Sequence, residues 1–296
     1  MDVDPLADTV PPRYNVESDD EEDEVRPLSV APAAAMLQID ISIKGDIPTG
    51  KGLLVATGDV ARRWARGADL GEQSAVVYVN KVQIGLVFQP KWTESSVLVS
   101  EALGRLPLSA MHPYAKTVLH SFKPKSLALL DSYPVPTYAT DAPIPFHEAP
   151  VRYLSTAQDT AFLTSSAARL FAPPNLIQST SAAFLSLASL PPPTPSPSTP
   201  SSPLQATLIL IPAPHIPPPA PKDITASLSL LSQDHHDDDG VGAAVPKLVG
   251  DAQRLVFEAL GERGAAARVW QVGAAGKERE GVAKRRTEVG EGGMYI

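Results

Sequence analysis

The sequence predicts an α/β domain in which helices flank a central mixed β-sheet. Residues 126–131 and 206–212 contain continuous apolar runs, which are typical of strands buried on both faces. Residues 247–261 carry apolar side chains at helical spacing. Two further apolar segments flank Asn80 and Lys81, and a two-residue gap of this kind predicts an antiparallel hairpin. Because buried strands alternate with helices, a layered domain is expected, and the hairpin makes its sheet mixed.

The first half of the domain supplies most of the predicted strands. Residues 37–43 alternate apolar and polar side chains, which indicates a half-buried strand. Residues 52–58 form a short apolar run between two glycines. Residues 74–79 and 82–88 are the two strands of the hairpin. The hydrophobic period then lengthens, and residues 97–105 predict a helix.

From residue 114 onward most segments have helical periodicity, and the two buried strands lie between predicted helices. The pair Pro173-Pro174 separates two of these helices, because proline interrupts helical hydrogen bonding. The predicted helices cover residues 114–122, 156–172, 176–190 and 247–261.

Composition divides the chain into a single domain with polar additions. Residues 1–32 are predicted to be a disordered acidic tail, and residues 33–275 a single α/β domain. A Pro/Ser/Thr-rich segment, residues 191–203, is predicted to be a disordered insert, and residues 234–242 a polar loop. Residues 276–296 are predicted to be a flexible C-terminal tail.

The distribution of charge excludes several classes of function. The chain has 25 Lys and Arg against 33 Asp and Glu, for a net charge of -8. Residues 1–24 alone carry -9, so the rest is nearly neutral and offers no basic face for nucleic acid. Without cysteine, disulfides and thiolate chemistry are excluded. No apolar run is long enough for a membrane helix and no signal peptide is visible, so we expect a cytoplasmic location, with the nucleus as the second candidate compartment.

No catalytic or cofactor motif is found in the sequence. The phosphate-binding loop, the dinucleotide fingerprint and the nucleophile elbow are all missing. Residues 234–239 are rich in His and Asp, but adjacent residues in one loop favour a solvated segment over a metal site. We therefore expect no catalytic residues, no metal and no cofactor, and interpret the protein as a non-enzyme.

Ser18 is a candidate for phosphorylation. Three acids, Asp19, Asp20 and Glu21, follow it directly, and an acid-directed kinase would read this pattern. The alternative, an unmodified solubilising tail, fits the sequence equally well.

The C-terminal residues Met294, Tyr295 and Ile296 are the strongest functional signal. They follow the glycine-rich stretch 290–293, and such a tether rarely ends in three apolar residues exposed to water. The Ile296 carboxylate suits pairing with a lysine, and Tyr295 offers a ring and a hydroxyl group. The alternative is a tail that folds back onto its own domain.

This hydrophobic-Tyr-X (HbYX) ending resembles the motif with which proteasome activators, ATPases and assembly chaperones bind the α-ring of the core particle. The chain from about residue 84 onward resembles the fungal form of the first subunit of the heterodimeric proteasome assembly chaperone. The resemblance lies in a helix ending at Phe122 before the strand 125–130, the strand 208–214, the helix 255–260 and Val269-Trp270 shortly before the C-terminus.

The resemblance implies an α/β domain that pairs with a second chaperone subunit and binds core-particle α subunits. It implies assistance in ring assembly and a block to premature regulator docking, with only Met294, Tyr295 and Ile296 carried over as binding residues. It implies neither a nucleic-acid nor a membrane partner. Two alternatives remain: a proteasome activator with the same motif, and a nucleoside-phosphorylase-like enzyme. The enzyme would need a phosphate cradle and an acid, neither of which the sequence identifies.

Overall fold

The computed structural model describes the domain but not the two ends of the chain. The described residues are 39–157, 160–161, 163, 168–190, 204–224 and 244–271. The predicted N-terminal tail (1–32), insert (191–203), polar loop (234–242) and C-terminal tail (276–296) lie outside these residues.

Among the described residues, nine strands form one sheet, in the spatial order β1-β3-β4-β5-β2-β6-β9-β7-β8. Their bounds are β1 Ile41–Gly45, β2 Leu53–Thr57, β3 Gln73–Val79, β4 Val82–Phe88, β5 Ser96–Ser100, β6 Ser126–Pro134, β7 Arg152–Ser155, β8 Arg169–Leu170 and β9 Gln205–Ala213. The central strands β5, β2, β6 and β9 run parallel, whereas β1, β3, β4 and β7 join antiparallel neighbours. The predicted mixed sheet is confirmed.

Helices cover both faces of this sheet. Their bounds are α1 Gly58–Gly67, α2 Leu108–Phe122, α3 Thr180–Ser189, α4 Ala244–Ala259 and α5 Arg263–Ala266. Successive residues of β2 enter different cores, because side chains alternate along a strand. Leu54 packs in the core that contains α1, α4 and α5, and Leu53 in the core that contains α2 and α3. The layered α/β architecture predicted from the sequence is therefore confirmed.

Several predicted elements lie where the sequence placed them. The hairpin joins β3 to β4 through Asn80 and Lys81, whose φ angles of 49° and 68° suit a tight turn between twisted strands. The buried strands are β6 and β9, and the amphipathic helix is α4. The predicted helix 114–122 is the second part of α2, and 176–190 contains α3, which starts later, at Thr180.

The helix predicted over residues 97–105 is wrong, because Ser96–Ser100 is the strand β5. All five of its residues are buried between β4 and β2. Val97 and Val99 enter one core and Leu98 the other. A short apolar run fits either structure, and the β-branched valines together with the two-sided burial favour the strand here.

The helix predicted over residues 156–172 is also wrong at its C-terminal end. Arg169–Leu170 forms β8, which pairs with β7, a strand that the sequence analysis did not predict. Of the predicted helix, residues 158–159, 162 and 164–167 lie outside the described part of the chain. The four residues of β7 pair with β9. A strand of four residues is too short for its hydrophobic periodicity to be recognised in the sequence.

Candidate functional site

The residues predicted to act, Met294, Tyr295, Ile296 and Ser18, all lie outside the described residues. The last described residue is Gln271, which precedes the predicted C-terminal tail in the sequence.

The last described residues, Trp270 and Gln271, are held against the end of α1. The Trp270 indole nitrogen donates a hydrogen bond of 2.9 Å to the Trp64 carbonyl oxygen. The Gln271 backbone nitrogen lies 3.5 Å from the Gly67 carbonyl oxygen. A Cβ atom on Gly67 would stand 2.2 Å from the Gln271 oxygen and 2.6 Å from the Trp270 ring. Only glycine therefore allows this close approach.

Buried polar side chains connect α1 and the segment after α5 to α4. The Trp64 indole nitrogen donates to the Gln253 side-chain oxygen at 3.0 Å, and Gln253 Nε2 donates to the Arg268 carbonyl oxygen at 2.8 Å. Gln253 is thus satisfied at both ends of its amide, as a buried polar group requires. At the surface, Arg268 pairs with Asp69 at 2.8 Å and lies 5.1 Å from the centre of the Trp92 ring.

A second polar cluster lies at the carboxyl ends of the parallel strands. Glu101 directly follows β5, Asp131 lies within β6, and Thr57 ends β2. All three are buried, and the first turn of α3 covers them with hydroxyl groups. In open α/β sheets this edge is the usual place for a ligand.

Both oxygens of the Glu101 carboxylate accept hydrogen bonds. The Leu106 backbone nitrogen donates to one at 2.8 Å, and the Thr180 hydroxyl donates to the other at 2.7 Å. Burial raises the pKa of Glu101, and these two hydrogen bonds oppose the rise because they favour the charged form.

Asp131 has the same arrangement. The Ser179 hydroxyl donates to Asp131 Oδ2 at 2.6 Å, and the Ser132 backbone nitrogen donates to Oδ1 at 2.7 Å. Burial raises the pKa of Asp131, and the hydrogen bond from Ser179 opposes that rise first. Next to it, the Ser181 hydroxyl donates to the Thr57 hydroxyl at 3.2 Å.

This carboxylate–hydroxyl cluster anchors α3 to the sheet. Each carboxylate oxygen of Glu101 and Asp131 accepts a hydrogen bond from the protein itself, and the first turn of α3 occupies the edge where a ligand would enter. No acid for the phosphorylase-like alternative could be identified from the sequence. The structure supplies two, but both are enclosed and engaged in holding the fold together.

Two further properties concern the described residues alone. They contain no group of three or more His, Asp or Glu side chains placed to hold a metal ion. Among their helices, none is both long and apolar enough to cross a membrane.

No protein-family model and no curated protein sequence matches the chain. Solved structures resemble its fold at low identity. PbaA from Pyrococcus furiosus, described as an archaeal homolog of proteasome-assembly chaperone, is 11% identical, with a TM-score of 0.46 over 83% of this chain and 94% of PbaA. PbaB from the same organism, described as an archaeal proteasome activator, is 9% identical, with a TM-score of 0.43 over 86% of this chain and 99% of PbaB.

A protein of unknown function from Thermoplasma acidophilum is 12% identical, with a TM-score of 0.40 over 81% of this chain and 90% of its own. At these identities and TM-scores, the similarity concerns the arrangement of strands and helices and assigns no function.

Proposed function

We propose that the protein is a proteasome assembly chaperone subunit that binds the α-ring of the core particle through its C-terminal tail. The observation that carries the proposal is the sequence of that tail, in which Met294, Tyr295 and Ile296 follow a glycine-rich tether. A few residues before that tail, Trp270 and Gln271 contact the end of α1.

The tether is long enough for docking at a distance from the domain. Residues 276–296 span about 70 Å when fully extended. The tail can therefore reach a pocket between two α subunits while the domain rests on the outer face of the ring. In that pocket the Ile296 carboxylate pairs with a lysine, and the Tyr295 ring and Met294 contribute apolar contact area.

In this proposal the protein acts by binding, without catalysis and without a cofactor. A second chaperone subunit completes a heterodimer and supplies a second tail, so that each tail can bind weakly on its own. An occupied α-ring surface favours correct assembly and blocks early docking of regulators. The place of action is the cytoplasm, with the nucleus as a second compartment.

An alternative within the same class is a proteasome activator that uses the same C-terminal motif. The two functions differ in the state of the proteasome that is bound. A chaperone binds incomplete α-rings together with its partner subunit, whereas an activator binds the mature core particle.

Gentle affinity purification followed by mass spectrometry tests the proposal. We expect α subunits in excess of mature β subunits, together with one further protein in equal amount to the bait. Mature core particles without such a partner would favour the activator. A purification that contains no α subunits, from cells with active proteasome synthesis, would overturn both assignments.

A further inference from the structure

An open groove lies beside β7 and β8, the two strands at one end of the sheet. Its volume is about 500 Å³, which is within the size range of small-molecule sites. It is lined by Ile144, Glu148, Pro150, Arg152, Arg169 and Leu170, and is called the Arg152 groove below.

Arg152 is the unusual member of this lining, since only 8% of its surface is exposed. Arginine is seldom buried without a carboxylate partner. Within the described part of the chain, Arg152 forms no ion pair, and its buried Nε atom has no hydrogen-bond acceptor. The Nη1 atom donates to the Leu170 carbonyl oxygen at 3.1 Å.

Aromatic rings hold the Arg152 guanidinium group in place. Its central carbon lies 3.8 Å from the centre of the Tyr138 ring and 5.6 Å from that of Tyr133. The Tyr133 hydroxyl donates to the Pro150 carbonyl oxygen at 2.7 Å, and the Tyr138 hydroxyl accepts from the Ala172 backbone nitrogen at 3.2 Å. These cation–π contacts offset part of the cost of burying the charge and orient the guanidinium before any ligand arrives.

The charges around the groove favour a ligand with one negative charge. Arg169 adds a second cation from the exposed strand β8, and Glu148 adds one carboxylate. The Glu148 carboxylate lies 3.5 Å from His147 Nε2, its ion-pair partner when the imidazole is protonated. Two arginines and one acid give the lining a net charge of +1, which a single carboxylate neutralises.

The remaining lining is apolar. Ile144, Pro150 and Leu170 offer contact area for a branched hydrocarbon group next to the guanidinium. A carboxylate matches the planar fork of an arginine better than a spherical anion does.

We propose that the Arg152 groove binds a monocarboxylate that carries an apolar group, the chemistry of the last residue of a peptide and of a branched-chain acid. The carboxylate accepts hydrogen bonds from the guanidinium of Arg152, and Arg169 adds electrostatic attraction. The apolar group packs against Ile144 and Leu170. This site is independent of α-ring docking, which uses the tail.

The test is a titration of the isotope-labelled full chain, followed by the backbone amide signals of Leu170 and Phe171. The probes are N-acetyl-leucine and its amide, which have the same shape but differ in charge, and 4-methylpentanoate, which lacks the peptide group. We expect saturable shifts with N-acetyl-leucine and none with the amide. Equal binding of 4-methylpentanoate supports a free acid as the natural ligand, and weaker binding of it supports a peptide terminus.

Matched variants assign the binding to the groove. Arg152→Gln is expected to weaken N-acetyl-leucine binding by about tenfold or more, because it removes the buried charge. Arg169→Gln, on an exposed strand, is expected to weaken binding by about threefold and to leave the fold intact. Arg263→Gln, which removes an exposed arginine outside the groove, is expected to bind like the wild type.

Three results would overturn the proposal. They are the absence of saturable shifts in the wild type, equal binding of the acid and the amide, and binding of inorganic phosphate that is as tight as that of N-acetyl-leucine. If Arg152→Gln does not fold, the comparison of acid with amide and the Arg169→Gln variant still decide the matter.

Discussion

The indole nitrogen of Trp64 donates a hydrogen bond of 3.0 Å to the side-chain oxygen of Gln253, and both side chains are buried. This bond joins α1 to α4, and Gln253 extends it to the segment after α5 through the Arg268 carbonyl oxygen. A buried donor that loses its acceptor costs more free energy than the bond contributes when formed.

Replacing Gln253 with methionine should therefore destabilise the domain. Methionine has a similar volume but leaves the Trp64 indole without its acceptor, so we expect a loss of about 1–3 kcal/mol in the free energy of unfolding. Urea denaturation measures this loss. Arg254→Met, at the neighbouring exposed position, should change stability by no more than about 0.5 kcal/mol. Equal effects of the two variants would contradict the role of the Trp64–Gln253 bond.

Gly67→Ala tests the close approach of Gly67 to Trp270 and Gln271. The added methyl group would overlap the Trp270 ring and the Gln271 backbone, so we expect a loss of about 1–3 kcal/mol in the free energy of unfolding. Gly250→Ala is the matched control, since an added Cβ there meets no atom within 4 Å. In the interior of α4 that change should stabilise by about 0.5–1 kcal/mol. If Gly67→Ala instead stabilised the domain, Trp270 and Gln271 would not pack against α1 in solution.

Glu101→Gln should flatten the dependence of folding stability on pH. Burial raises the pKa of Glu101 in the folded state above its ordinary value of 4.5, so the folded state binds the proton more tightly than the unfolded state. The contribution of Glu101 to stability should then be fully present below about pH 4.5 and be lost as the pH rises through the folded-state pKa. Glutamine does not titrate, so the Glu101 contribution to this fall should vanish in denaturation curves measured across that range.

Thr180→Val provides the opposite test at the same carboxyl group. Valine removes a hydrogen bond that lowers the Glu101 pKa, so the fall in stability should extend to higher pH than in the wild type. Identical pH profiles for the wild type and both variants would mean that Glu101 titrates alike in the folded and unfolded states.

Extending the chain by one glycine after Ile296 should weaken binding to α-rings. The extension keeps every side chain but moves the carboxylate by about 3.5 Å away from its lysine. Loss of a buried charge pair costs about 2–5 kcal/mol, or roughly 30- to 4,000-fold in that contact, and a partner's tail reduces the observed effect. Binding of purified protein to isolated α-rings is the measurement.

A glycine inserted within the tether, after Gly292, is the control for that extension. It lengthens the chain equally but leaves the Met294-Tyr295-Ile296 ending and its carboxylate unchanged, so binding should stay at the wild-type level. If the terminal extension binds as tightly as this internal insertion, in the absence of a partner's tail, the proposed docking is wrong.

The strongest sequence patterns predicted the core of the fold. Residues 126–131 and 206–212 became β6 and β9 because continuous burial demands apolar residues on both sides of a strand. Asn80 and Lys81 became the hairpin turn because few residue pairs tolerate two positive φ angles. Helix α4 followed from its apolar period. In each case the element could be predicted because its signal lies in residues that are close together in the sequence.

Other features depended on contacts between distant parts of the chain. Residues 97–105 read as a helix, but β5 forms because β4 and β2 offer backbone partners on both sides. The sequence did place Glu101 and Asp131 at the ends of apolar runs, a signal that could have marked both acids. The hydroxyl groups that satisfy them come from α3, far along the chain.

The sequence by itself determined the α/β class, the two core strands buried on both faces and the residue types of the C-terminal tail, because local periodicity and residue type carry these properties. Tertiary structure alone decided the order of the nine described strands, the enclosure of Glu101 and Asp131, and the burial of Arg152 between Tyr138 and Tyr133. These properties arise from pairing and burial between segments that are remote in sequence, where no local pattern records which side chains will meet.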